Sequence, residues 1–184
     1  PFALTPGFQG PKQPSGMKPE FDDDFGSWMA PFVMAAINTR NVHRTNALTG
    51  FSFGKDFVYD EMVMTGPGDK GEAVARGMAA AGSGMDGDKG PKPGEGPSKE
   101  ERENGFYDLL FLGVGPDGRK LAASVKGDKD PGYGSTSKMI AETALALTAD
   151  DKVSGGVWTP GAALGLPLAE RLQKDAGIVF AIEG

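Results

Sequence analysis

The spacing of apolar residues changes several times along the chain, and each change marks an element. Residues 1–26 show no period; five prolines, four glycines and the acidic run Asp22-Asp23-Asp24 read as an irregular arm, held down through Phe2, Phe8 and Phe21. Met29, Phe32, Val33, Ala36 and Ile37 then recur at helical spacing and predict a helix from about Pro31 to Leu48. Pro31 suits its first position and Gly50 the residue beyond its end. From Phe51 to Met64 the period becomes two, through Phe51, Phe53, Phe57, Tyr59 and Met62, which predicts a strand with a bulge near Gly54.

Alanine-rich Glu72 to Ala81 predicts a short helix, and glycine, proline and charge from Gly82 to Asn104 predict a long surface loop. Phe106 to Val114 is strongly apolar and is followed by the turn Gly115-Pro116-Asp117-Gly118 and by alternating Leu121, Ala123 and Val125, which together predict a hairpin. The first strand is apolar on both faces and is expected at the sheet centre. Met139, Ile140, Thr143, Ala144 and Leu147 line one face of a helix from Ser135 to Leu147. Thr159 is placed to cap a further helix, with Leu164, Leu168 and Leu172 in its apolar stripe and a break near Leu166 before Pro167; Ile178 to Ile182 closes the chain as a strand. The order predicts an α+β (α/β-type) fold, a mixed and mostly antiparallel sheet with helices packed on it, residues 27–184 forming one domain.

Composition narrows the function. A net charge of −6 opposes phosphate backbones, so no nucleic-acid partner is expected. The absence of cysteine removes disulfides, thiolate metal sites and thiol nucleophiles, and suits a reducing, cytoplasmic setting. The longest apolar stretch, Trp28 to Ile37, contains Pro31 and is too short to span a bilayer.

Candidate chemistry is sparse. His43, the sole histidine, has Arg40 and Arg44 as neighbours rather than carboxylates, and reads as a surface residue, poorly suited to bind metal or act as a base. Arg40, His43 and Arg44 share one helix side, with Asn41 and Thr45 at its edge; this face either holds a carboxylate or phosphate or completes surface ion pairs near the helix C-terminus. Gly132-Tyr133-Gly134-Ser135-Thr136-Ser137-Lys138 enters a helix, and its amides and hydroxyls either bind an anion or cap the helix; it departs from the P-loop pattern. The acidic runs lack calcium-loop spacing. The sequence is read as lacking a strand, Gly-x-Gly-x-x-Gly and helix in succession, so no dinucleotide site is expected in this chain.

Several blocks resemble the C-terminal half of saccharopine dehydrogenase-like oxidoreductases, and within them the bacterial trans-acting enoyl reductases. They are Ala30-Pro31-Phe32-Val33-Met34-Ala35 with Asn38-Thr39-Arg40; Pro91 to Ser98 with Glu100-Glu101-Arg102; Val125-Lys126-Gly127-Asp128 with Asp130 to Met139; and Gly155-Gly156-Val157-Trp158-Thr159-Pro160. The resemblance implies an N-terminal Rossmann domain, outside this chain, that binds NADP or NAD. It implies that this half completes the substrate cleft and pairs subunits into a homodimer. It also implies a small-molecule or lipid-like substrate. No catalytic residue is carried over. Arg40, Asn41, Arg44, Lys126, Tyr133 and Ser135 are the candidate substrate-binding residues.

Overall fold

The computed structural model describes residues 1–82, 94–149 and 153–183. The chain divides into two compact units, residues 1–90 and 91–184. Each unit carries its own three-stranded antiparallel sheet, so the fold is α+β with two sheets where the sequence suggests one.

In the first unit, β1 (Glu20–Asp22), β2 (Ser27–Pro31) and β3 (Met62–Gly66) lie in that order. The Asp22 carboxylate accepts the amides of Asp24 and Phe25 and closes the β1–β2 hairpin, so part of the expected irregular arm is a strand. Helices α1 (Ala35–Leu48) and α2 (Gly68–Ala81) follow β2 and β3. The start of α1 corrects the sequence reading. Pro31 pairs with Met62 at the end of β2, and Met29 and Ala30 are buried in that central strand. A proline has the same φ at a strand end as at a helix start, and the helical spacing from Met29 to Ile37 is produced by a strand and a helix in succession.

The expected strand from Phe51 is also shorter, because pairing begins only at Met62. The period-two aromatics form a cluster instead. Phe53 and Phe57 are 5.4 Å apart, Phe57 stacks on Tyr59 at 5.9 Å, and Phe8 lies tilted against Phe51 at 4.5 Å. Asn46, buried on α1, holds this segment by donating to the Gly54 carbonyl and accepting the Phe53 amide, both at 2.8 Å.

The second unit contains α3 (Lys99–Asn104), β4 (Tyr107–Val114), β5 (Lys120–Gly127), α4 (Gly134–Ala149), α5 (Pro160–Asp175) and β6 (Ile178–Glu183). Of the long loop expected from residue 82 to 104, residues 83–93 lie outside the described residues, and Lys99–Asn104 is helical with a Ser98–Glu101 capping box. The sheet order is β4-β5-β6, so β5 is central and β4 is an edge, contrary to the expectation from its composition. Its apolar residues on both faces are exposed, with Leu109 and Leu110 each at 44%.

Leu164, Leu168, Leu172, Ala176 and Ile178 form the core of this unit, joined by Val125 and Met139. The stripe expected on α5 is therefore the buried one. The break expected near Leu166 is present and centres on Gly165, whose φ of +56° is left-handed; Pro167 sits in the segment that follows.

Candidate functional site

The basic face read from α1 is divided by its surroundings. His43 is only 3% exposed, between the rings of Phe2 at 4.7 Å and Phe57 at 5.7 Å. The Gln13 amide nitrogen donates to the carbonyls of Pro11 and Phe57, which fixes its oxygen as an acceptor. That oxygen takes the Tyr59 amide at 3.0 Å and the His43 Nε2–H at 3.2 Å, so His43 carries its proton on Nε2. Burial holds its pKa below the ordinary imidazole value. The expected surface histidine is a structural interior residue; its partners come from residues 2, 13 and 57, which helix spacing does not reveal.

Arg44 donates to the Leu4 carbonyl at 2.8 Å and borders a cleft of about 270 Å³ lined with Leu4, Phe8, Ala47 and Phe51. Arg40 is exposed and has no hydrogen bond or ion pair among the described residues, while the exposed Asn41 returns its amide to the Ile37 carbonyl. Arg40 and Asn41 are the part of this face free to meet a ligand.

In the second unit the glycine-rich turn before α4 is filled from within. One Asp130 carboxylate oxygen accepts the amides of Tyr133 at 2.9 Å and Gly134 at 2.6 Å, and the other accepts Gly132 at 2.9 Å. These bonds, Gly134 foremost, hold the Asp130 pKa below the usual carboxylate range. The amides that could bind an external anion already hold an internal one, so capping is the role the geometry supports. The buried Ser135 donates its amide to the Asp130 carbonyl, and its hydroxyl lies 2.9 Å from that of Tyr107. Tyr133 projects 57% exposed from the same turn, with Gly96 against its ring. Lys126 is bound to Asp108 at 2.9 Å across the β4–β5 ladder.

The structure thus places Arg40, Asn41 and Arg44 on one helix of the first unit. Tyr133 and Ser135 share one turn of the second, and Lys126 stands in a separate ion pair. The Tyr107–Ser135 bond was not visible in the sequence. Its signal is Gly127, opposite Tyr107, where any Cβ would meet the ring at 2.1 Å. A second cleft of about 400 Å³ in this unit is lined by Thr143, Leu147, Ser154, Trp158 and Ala163.

One sequence reading is overturned outright. Gly66-Pro67-Gly68-Asp69-Lys70-Gly71 is a Gly-x-Gly-x-x-Gly segment, and it joins β3 to α2. Gly66 and Gly68 have φ of +97° and +66°, and a Cβ on Gly71 would lie 1.9 Å from the Gly66 carbonyl oxygen. The glycines make a tight turn and a close helix–strand contact. The context departs from a dinucleotide site: among the described residues β3 pairs only antiparallel, with β2, and no parallel strand flanks it in a β-α-β unit. The residues present do not fit the pyrophosphate cradle that a nicotinamide cofactor uses. Among the described residues no group of three or more His, Cys, Asp or Glu is placed to hold a metal ion, and no helix is long and apolar enough to cross a membrane.

These features describe an α+β chain whose polar interior is structural, with exposed polar side chains at Arg40, Asn41 and Tyr133. The comparisons place it with oxidoreductase relatives. It is homologous to the bacterial trans-acting enoyl reductases over most of its length. A protein of that name from Mycobacterium ulcerans (strain Agy99) is 35% identical over 175 residues, 85% of this chain and 41% of its own. Another, from Mycobacterium tuberculosis (strain ATCC 25618 / H37Rv), is 31% identical over 207 aligned positions, 98% of this chain and 49% of its own. The chain therefore spans less than half the length of these relatives. No family model and no solved structure matches it.

Proposed function

We propose that this chain is the substrate-side and subunit-contact part of an NAD(P)-dependent, saccharopine dehydrogenase-like oxidoreductase of the trans-acting enoyl reductase kind. The observation that carries this reading is the similarity to enzymes of that name along most of this chain but less than half of theirs. Hydride transfer from a bound nicotinamide to a C=C or C=O bond is then the work of the remaining part, an N-terminal Rossmann domain. Within this chain Arg40 offers a guanidinium fork and Asn41 an amide to an acidic or carbonyl group of a small-molecule or lipid-like substrate, and Tyr133 offers an apolar ring with a hydroxyl tip. In the first unit Arg44 stands beside Arg40 and Asn41 on α1; in the second, Ser135 anchors the turn that carries Tyr133, and Lys126 offers a further cation on β5.

A second reading, a non-catalytic binding or assembly module, is favoured by one observation. The histidine, the Asp130 carboxylate and the Ser135 hydroxyl are all engaged in structural bonds. The two readings separate on reconstitution. NADPH consumption with an enoyl thioester, by the chain joined to the preceding domain but not by either alone, supports the first. Full reductase activity of the preceding domain without this chain overturns it.

A further inference from the structure

We propose that the outer edge of β4 pairs antiparallel with β4 of a second copy of this chain, about a two-fold axis at Phe111, to give a continuous six-stranded sheet. The proposal rests on the reading of this chain as the subunit-contact part and identifies the surface that makes the contact.

The ladder shows which backbone groups are open. The Gly115 amide donates to the Arg119 carbonyl, which makes these residues a hydrogen-bonded pair at the hairpin turn. Alternation from that pair points the N–H and C=O groups of Tyr107, Leu109, Phe111 and Gly113 at β5, and those of Asp108, Leu110, Leu112 and Val114 outward. Among the described residues of this unit nothing pairs with the outward row. β4 is eight residues long, pairs with β5 without a bulge, contains no proline, and has Asp108 as its only charge, already bound to Lys126. Natural edge strands are usually shielded by lysine, proline, bulges or a covering segment. The opposite edge of this sheet has such a cover: on β6 the outward Phe180 amide donates to the Gln173 side chain of α5 at 3.2 Å. At the β6 edge an outward amide is taken by α5, whereas among the described residues of this unit no outward group of β4 is taken.

A row of free amides and carbonyls is satisfied by another strand, and β4 itself is self-compatible. Centred on Phe111, an antiparallel pair sets Leu110 opposite Leu112 and Asp108 opposite Val114, so all four outward residues form hydrogen-bonded pairs and no like charges meet. Phe111 faces its own copy as a non-hydrogen-bonded pair, the closer of the two spacings, at about 4.5 Å between Cα atoms. The half-exposed side chains of Leu109, Leu110 and Phe111 gain apolar neighbours on both faces.

The chain has no cysteine, which allows a direct test. Phe111→Cys brings two thiols within the Cα range of about 4.4–6.8 Å that a disulfide spans. Leu109→Cys, on the same face, leaves them four residues apart along the strands, about 13 Å. Under mild oxidation the first variant should convert to a covalent dimer and the second should stay monomeric on non-reducing gels. Leu110→Pro, which removes an outward amide but no bond to β5, should turn a sedimenting dimer into a folded monomer. Equal cross-linking of both cysteine variants, or of neither, in a chain that still sediments as a dimer overturns the β4 contact and leaves the subunit-contact reading standing. A wild-type chain that stays monomeric at every concentration overturns both.

Discussion

The Asp130 carboxylate accepts the Gly134 amide at 2.6 Å, and with it the amides of Tyr133 and Gly132, so the turn that enters α4 carries its own anion. A carboxylate bound this way titrates below its unfolded value. The stability it contributes is complete above the unfolded carboxylate pKa, about 3.9, and is lost as the pH falls through the lower folded value. Asp130→Asn should lower Tm at neutral pH and flatten the acid limb of the Tm profile below about pH 4. Wild-type behaviour of the variant across that limb would show that the nest is held by other means.

His43 gives the second pH dependence. Its folded pKa lies below that of a free imidazole, so the unfolded chain binds a proton first as the pH falls. The contribution is therefore complete above about pH 6.5 and is lost as the pH drops from there toward the folded value. His43→Phe should remove the Tm decline attributable to this group in that window, while losing the bond to Gln13. Calorimetric scans at closely spaced pH values measure both.

Two glycines of α2 separate close contact from helix propensity. A Cβ on Gly71 meets the Gly66 carbonyl oxygen at 1.9 Å, whereas a Cβ on Gly77 meets nothing within 4 Å. Gly71→Ala should destabilise by about 1–3 kcal/mol through overpacking. Gly77→Ala should stabilise by about 0.5–1 kcal/mol. Urea denaturation of both variants tests the contrast, and equal effects would contradict the packed turn.

Much of the second unit was legible in the sequence, because its signals are local. The hairpin around Pro116-Asp117-Gly118, the Leu164, Leu168 and Leu172 stripe and the last strand each sit within one turn or one helix face. The first unit was less legible because its order is non-local. Pro31 reads as a helix start until Met62 is seen opposite it, and His43 reads as exposed until Phe2 and Phe57 close over it. The edge position of β4 was hidden because a strand apolar on both faces has the same composition whether the sheet covers it or a partner does. At the candidate site, the sequence brought out Arg40, Asn41 and Tyr133 by residue type. It could not show that Asp130 fills the glycine turn; the Gly66-x-Gly68-x-x-Gly71 spacing, by contrast, is plain in the sequence between the expected strand ending at Met64 and the expected helix from Glu72, and the antiparallel pairing of β3 is what sets it apart from a dinucleotide turn.

Arg40 distinguishes a ligand contact from a surface charge. It has no partner among the described residues, so Arg40→Ala should leave Tm almost unchanged. If it holds an acidic or carbonyl group of the substrate by charge-assisted hydrogen bonds, the variant enzyme should lose about 1.5–3 kcal/mol of substrate or transition-state binding. Steady-state kinetics of a protein that includes the proposed N-terminal domain reads this as a fall in kcat/KM. An unchanged kcat/KM removes Arg40 from the substrate surface.

On the proposed function this chain supplies binding and contact surfaces while the cofactor is held elsewhere, although the chain contains a Gly-x-Gly-x-x-Gly turn. Calorimetric titration of the 184-residue chain with NADPH, beside the same titration of a protein that includes the proposed N-terminal domain, tests this most directly. The account predicts no saturable heat from the chain and a saturable isotherm from the longer protein. Saturable binding of NADPH by the chain alone, abolished by Gly68→Val, would place the cofactor on the β3–α2 turn and contradict it.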